Sequence, residues 1–364
     1  MRPRLHVLTA LRFLAALHVV LFHMRVVGIL PGGPWWYQNF ACIGFVGVNF
    51  FFVLSGFILV YTYDGPELSA VKFWGARFAR VYPAYLLSLI LAAPFFFFAV
   101  RNLDLPFFAW SKQHLAAACL LTLALLQSWV PQAALTWNSV CWSLSVEAFF
   151  YLAFPFFLLR SRKLSAKSLF LFLIVFWLVS LSFSFSYIHF HPDGLDKINS
   201  GETNLFWKNI LSFNPLVRLP EFLVGMFAAK LFLLRSGKDN KFATPLIFAG
   251  LLGFAAVVAF APQIPNPTLS AGLLSPAFAA IIYGIAQQPK WTSFFAARWL
   301  VLLGDASYSL YLLHSLVITR AFESFPHLAW SIRVALSLAV AIVASIAAYK
   351  LAEEPARRFL RPKK

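Results

Sequence analysis

Residues 8–30 read LTALRFLAALHVVLFHMRVVGIL. The run has the length and apolar content of a helix that crosses a bilayer, since about 20 apolar residues span the hydrocarbon core. Yet it carries Arg12, His18 and His23. Eleven helical steps of about 100° bring His23 back to nearly the face of Arg12, about 16 Å further along the axis. Ionisable side chains inside a span are costly unless paired or wet, so two on one face mark a functional surface. His18 lies off that face and reads as structural.

Similar apolar runs recur near 7–29, 40–63, 81–100, 114–129, 140–159, 168–190, 214–234, 243–262, 268–287, 299–318 and 331–352. Hydrophobic residues make up 61% of the chain and charged residues 12%, which excludes an ordinary soluble domain. The runs are continuous rather than alternating, which excludes a β-barrel. The net charge of +17 does not point to nucleic acid, because the basic residues cluster between apolar runs, as cytoplasmic loops do. Arg2 and Arg4 place the N-terminus inside, and Lys72, Arg77 and Arg80 mark the next inside loop. Arg160, Arg162, Lys163 and Lys167 fall inside only if 114–129 does not cross. That run is the shortest and Pro131 follows it, so it reads as a re-entrant or interfacial helix. The expectation is an all-α polytopic membrane bundle of about ten transmembrane helices, both termini cytoplasmic, in one domain over 1–364. Arg235, Lys238, Lys241, Lys290, Arg298 and the tail Arg357, Arg358, Arg361, Lys363 and Lys364 then all lie inside. No small-residue cleavage site follows the first run, which is expected to stay in the mature protein. Cys42, Cys119 and Cys141 lack metal or redox spacing and read as small hydrophobes. No cluster has metal-ligand spacing, so neither a metal nor a bound cofactor is expected.

Polar residues gather at two depths. Toward the outer side lie Asn49, Glu147, the pair Arg218 and Glu221 in NPLVRLPEFLVG, and His314 in GDASYSLYLLHS; Arg77 and Arg80 in RFARVYP join Arg12 toward the inside. Arginines suit an anion such as a nucleotide phosphate. A histidine with a carboxylate in reach is the equipment for general-base activation of a hydroxyl. Simpler readings exist for single residues. Arg77 and Arg80 serve as topology signals, Arg218 and Glu221 as a structural ion pair, and His314 as an interfacial histidine. Trp35, Trp36 and Tyr37 fit an aromatic belt.

The segments LRFLAALHVVLFH, GVNFFFVLSGFILVY, RFARVYPAY, WSLSVEAFFYLAFP, NPLVRLPEFLVGM, GDASYSLYLLH and EEPARR occur in that order. Through them the chain resembles, from Leu8 to about Arg358, the acyltransferase-3 family of integral-membrane acyltransferases. The resemblance implies that Arg12 and His23 are the family's arginine–histidine signature, with His23 the catalytic base and Glu147 its partner. It implies that Arg77 and Arg80, with Arg12, handle an acyl donor, and that Ser55 and Gly56 serve close helix packing near the acyl path. Asn49, Arg218, Glu221, Tyr308 and His314 are expected to bind substrate or support the site.

The implied reaction carries an acetyl or other short acyl group from cytoplasmic acetyl-CoA, a co-substrate rather than a bound cofactor. The expected acceptor is a sugar hydroxyl of a surface polysaccharide or lipid-linked glycan, at the bacterial cytoplasmic (inner) membrane. Expected partners are thus acyl-CoA, a glycan and membrane lipids, with no nucleic acid. Acylation of a small molecule such as a macrolide is the alternative. A transporter is the alternative from another class; it calls for broken helices and an inverted repeat, and the sequence shows no repeat. Many members carry a soluble esterase-like domain after the last span. This chain ends about a dozen residues past it, so the membrane domain is expected to complete transfer alone. Segment 191–213 matches no family motif and is expected to bear on acceptor choice.

Overall fold

In lipid, backbone groups must find partners within the chain, and a helix satisfies them all locally. The computed structural model describes residues 2–65, 68–235 and 241–360 and is helical, without a strand among the described residues. Lys238, Arg361, Lys363 and Lys364 lie outside those residues. The bundle consists of α1 (His6–Val26), α2 (Val46–Tyr63), α3 (Ala70–Asn102), α4 (Trp142–Ser161) and α5 (Ala166–Phe190). It continues through α6 (Pro215–Arg235), α7 (Ala243–Ala259), α8 (Ser275–Ala286), α9 (Arg298–Glu323) and α10 (Trp330–Ala348). Among the described residues eight helical stretches are long and apolar enough to cross a membrane. The other two are α6, which carries Arg218, Glu221, Lys230 and Arg235, and α7, which is 17 residues long.

Helix α6 is the hub. It is buried over most of its length and packs against α2, α4 and α5, while α1 packs on α9, α9 on α10 and α7 on α8. Gly56 of α2 and Gly225 of α6 let two backbones meet. A Cβ on Gly56 would strike the Phe222 carbonyl, and one on Gly225 the Val53 carbonyl. Close crossings of membrane helices use small residues for this reason. Gly225→Ala is therefore expected to lower the thermal midpoint in detergent, with an overpacking cost of about 1–3 kcal/mol. An unchanged midpoint would show that the crossing yields.

Asp64, just beyond α2, ties one end of the bundle together. It lies 2.7 Å from Lys230 and 3.7 Å from Arg162, and its carbonyl accepts from Arg2 at 3.0 Å. These basic residues come from separate parts of the sequence and meet at one end, the end that the positive-inside rule assigns to the cytoplasm.

Three elements depart from the sequence boundaries. Helix α3 starts at Ala70, capped by Ser69, so Arg77 and Arg80 are helical residues rather than loop residues. The run 268–287 is broken: Asn266–Ser270 is one helix, α8 another, and Gly272 between them has φ +77°. The run 114–129 forms the nine-residue helix Leu115–Leu123, too short to cross, and a 3-10 turn at Gln127–Trp129. The hydroxyls of Tyr82 and Tyr85, inside α3, donate to the Leu123 and Thr122 carbonyls at 3.1 and 2.6 Å, which makes the segment re-entrant.

Candidate active site

The two ends of the shared face on α1 open into two cavities. Arg12 lines an inner cavity of about 110 Å³ with Arg77, Arg80, Ser55, Glu147 and Tyr308. His23 lines an outer cavity of about 700 Å³ with His314, Asn49, Arg218 and Lys208. Val48 and Tyr311 line both, so the cavities abut at these two side chains. The Tyr311 hydroxyl is fixed by the Val140 carbonyl at 2.9 Å and by Ser143 Oγ at 2.8 Å, which holds this partition in place.

At the outer site the partner of His23 is His314. Nδ1 of His314 faces the Tyr311 carbonyl at 2.7 Å, and a carbonyl only accepts, so that nitrogen carries the proton. Nε2 of His314 is then an acceptor, 3.1 Å from Nδ1 of His23. The same Nδ1 lies 2.9 Å from the Val19 carbonyl, so it too is protonated and donates to both. This chain of bonds leaves Nε2 of His23 as the unprotonated nitrogen. The arrangement is that of a general base whose far nitrogen is held by a hydrogen-bond acceptor. It arises because α1 packs along α9 and brings residues 23 and 314 to one level.

Glu147 does not occupy that position. Its carboxylate accepts from Ser55 Oγ at 3.1 Å and from the Tyr151 hydroxyl, and it faces the inner cavity with the arginines. The expected Glu147–His23 pairing is thus corrected: Glu147, expected toward the outer side, turns toward α2 and α3 and lines the inner cavity. Arg12 and Arg80 make no hydrogen bond or ion pair with any described residue, although each lies in electrostatic reach of Glu147, Glu353 and Asp305. Arg77 donates to the Tyr63 hydroxyl at 2.9 Å and lies 5.4 Å from the centre of that ring. Three guanidinium groups therefore border a cavity whose one acidic lining residue among those described, Glu147, is already hydrogen-bonded. This is the electrostatics of an anion site. Tyr308 also lines it and anchors its hydroxyl on the Val81 carbonyl at 2.9 Å.

Asn49, Arg218 and Glu221 form a buried network around the broken helix. Asn49 Nδ2 donates to the Leu269 carbonyl at 3.0 Å, and its Oδ1 accepts from Arg218 at 2.8 Å. Arg218 donates to the Ser270 carbonyl, pairs with Glu221 at 3.1 Å and lies over Phe52 and Trp142. Ser180 donates to the Ala271 carbonyl at 2.5 Å. These bonds satisfy the carbonyls freed where the helix unwinds, as buried non-helical backbone requires. Asn49 and Arg218 reach the wall of the outer cavity, whereas Glu221 lines neither cavity.

Segment 191–213 covers the outer cavity. Asp193 accepts the backbone N–H groups of Trp207 and Lys208 at 3.2 and 2.8 Å and so caps the helix Phe206–Phe213. Lys208 turns its ammonium to the Ser200 carbonyl, and burial holds it below the ordinary lysine range despite Glu202 and Asp193 nearby. Tyr151 and Tyr311 were not read from the sequence. Each carried a signal: Tyr151 is one turn after Glu147, and Tyr311 nearly one turn before His314.

An arginine-lined cavity abutting a histidine-based one inside a helical bundle defines a membrane-embedded group-transfer protein. Residues 5–350 match the acyltransferase-3 family, described as an acyltransferase domain. The chain belongs to that family. It is 29% identical to acyltransferase MdmB of Streptomyces mycarofaciens, over 98% of this chain and 92% of the relative. It is 25% identical to O-acetyltransferase OatA of Staphylococcus aureus, over 84% of this chain and 49% of OatA, so it spans about half the length of that relative. No solved structure matches the chain. The broken helix before α8 is a feature that a transporter would also call for; here Arg218 and Asn49 hydrogen-bond its carbonyls.

Proposed function

We propose that this acyltransferase moves an acetyl or other short acyl group from acyl-CoA, entering from the cytoplasm, to a sugar hydroxyl of a lipid-linked or surface glycan in the bacterial cytoplasmic membrane. The observation that carries the reading is the meeting of the two cavities at Val48 and Tyr311, arginines on one side and the histidine pair on the other. The donor's phosphates meet Arg12, Arg77 and Arg80, and its thioester reaches the partition. An acceptor hydroxyl in the outer cavity gives its proton to Nε2 of His23 while its oxygen bonds to the acyl carbon. The carbon–sulfur bond breaks, and the proton passes from His23 to the departing thiolate. The imidazolium formed in between is held by the Val19 carbonyl and by Nε2 of His314. The acetyl donor is supported by the O-acetyltransferase relative.

The test is transfer of labelled acetyl from acetyl-CoA by purified protein, with glycan and small-molecule fractions of cell extract offered separately. Label in the glycan fraction supports the reading. Label only in a small molecule such as a macrolide moves the acceptor, and absence of transfer from any acyl-CoA overturns the reading. Arg80→Gln is expected to raise KM for acyl-CoA about 10–100-fold with kcat little changed, as loss of one or two charge-assisted hydrogen bonds does. Arg80→Lys recovers only part, because an ammonium lacks the planar fork. A lowered kcat at unchanged KM would place Arg80 in the chemical step instead.

A further inference from the structure

A further large cavity plays no part in this chemistry. About 910 Å³ in volume, it shares no residue with the inner or outer cavity and lies between α5, α6, α7 and α8. We propose that it is a binding groove for one anionic glycerophospholipid of the cytoplasmic leaflet.

Its depth fits one leaflet. Lining residues on α5 run from Ala166 to Trp177, eleven steps or about 16 Å, roughly half of a hydrocarbon core about 30 Å thick. Its width comes from small side chains: Ala228 on α6 and Ala279 and Ala280 on α8 leave room that larger residues would fill. Helix α5 packs on α6 and α7 packs on α8, so the groove separates two tightly joined helix pairs. Phe170 and Phe242 on its walls are exposed, as befits a site open to lipid.

Charge sets the headgroup. Lys167 is in the first turn of α5 and Arg235 closes α6, so both stand at the rim on the end where Asp64 gathers Arg162 and Lys230. Both are exposed, and neither forms an ion pair or hydrogen bond with a described residue. Two cations at the cytoplasmic mouth of an apolar groove, without a partner among the described residues, are the recognition elements for a lipid phosphate lacking a compensating amine.

The experiment is native mass spectrometry of the purified full chain after exchange into a mixture of equal phosphatidylglycerol and phosphatidylethanolamine with matched acyl chains. At about fivefold per basic residue near the surface, wild type is expected to prefer the anionic lipid about thirtyfold. Lys167→Gln with Arg235→Gln, both at exposed positions, is expected to reduce that preference to near parity. Ala280→Phe, which fills the groove and keeps both cations, is expected to expel the lipid. Equal retention of the two lipids by wild type overturns the proposal, as does anionic-lipid retention by Ala280→Phe equal to wild type. The acyl-transfer assay is a separate readout, so failure here leaves the proposed reaction standing.

Discussion

His23→Ala is expected to lower acyl transfer about 10²–10⁴-fold, the usual contribution of a positioned general base. The loss should fall on kcat more than on KM for acyl-CoA, because the donor's phosphates are assigned to the inner cavity, where Arg12 lies about 16 Å from His23 along α1 and Arg77 and Arg80 come from α3. His314→Ala should cost less. It leaves Nε2 of His23 in the outer cavity and removes only the acceptor that orients the ring, while the Val19 carbonyl still holds Nδ1. Asymmetry between the two variants is the signature of one base and one positioning residue. The pH profile is a second readout. A base must be unprotonated to act, so wild-type kcat/KM should fall on the acid side, and residual activity of His23→Ala should lack that limb. Near-wild-type transfer by His23→Ala would sink the general-base role. Equal losses in the two variants, with both still folded, would mean that the pair acts as a single unit.

The sequence showed most of the bundle and half of the site. Apolar length and loop charge were enough for ten helices, because each signal is local. The ruler on α1 was legible because phase along one helix is arithmetic. What failed was everything that depends on how two helices face each other. Glu147 and His314 were placed at similar depth, and nothing in either segment says which one turns toward His23. Packing of α1 along α9 decides it. The start of α3 was missed because Lys72, Arg77 and Arg80 dilute the apolar signal where the helix projects beyond the hydrocarbon. The break before α8 was missed because TLSAGLLSP carries no charge through the unwound turn, where Gly272 takes a positive φ.

Arg218→Met is expected to destabilise the protein by about 3–5 kcal/mol, the cost of leaving one member of a buried pair alone. Glu221 is fully buried and would keep its charge without a partner, or have to take up a proton. Asn49 Oδ1 and the Ser270 carbonyl would lose a donor at the same time. Removing the carboxylate as well, in Arg218→Met with Glu221→Leu, should recover part of the loss, since a buried pair exchanged for apolar groups is often neutral. Recovery should stay incomplete, because Arg218 also clamps the break beside Ser270 and no leucine on α6 can do that. Glu221→Gln should be the mildest of the three. Thermal midpoints in one detergent across the four proteins would resolve these terms, and a double-mutant cycle would isolate the pair. A different role for Arg218 predicts a different pattern. If it grips an anionic acceptor, Arg218→Met should keep the wild-type midpoint and raise KM for the acceptor. The buried network favours the first outcome, because every bond that Arg218 makes joins α2, α6 and the unwound turn into one wall of the outer cavity.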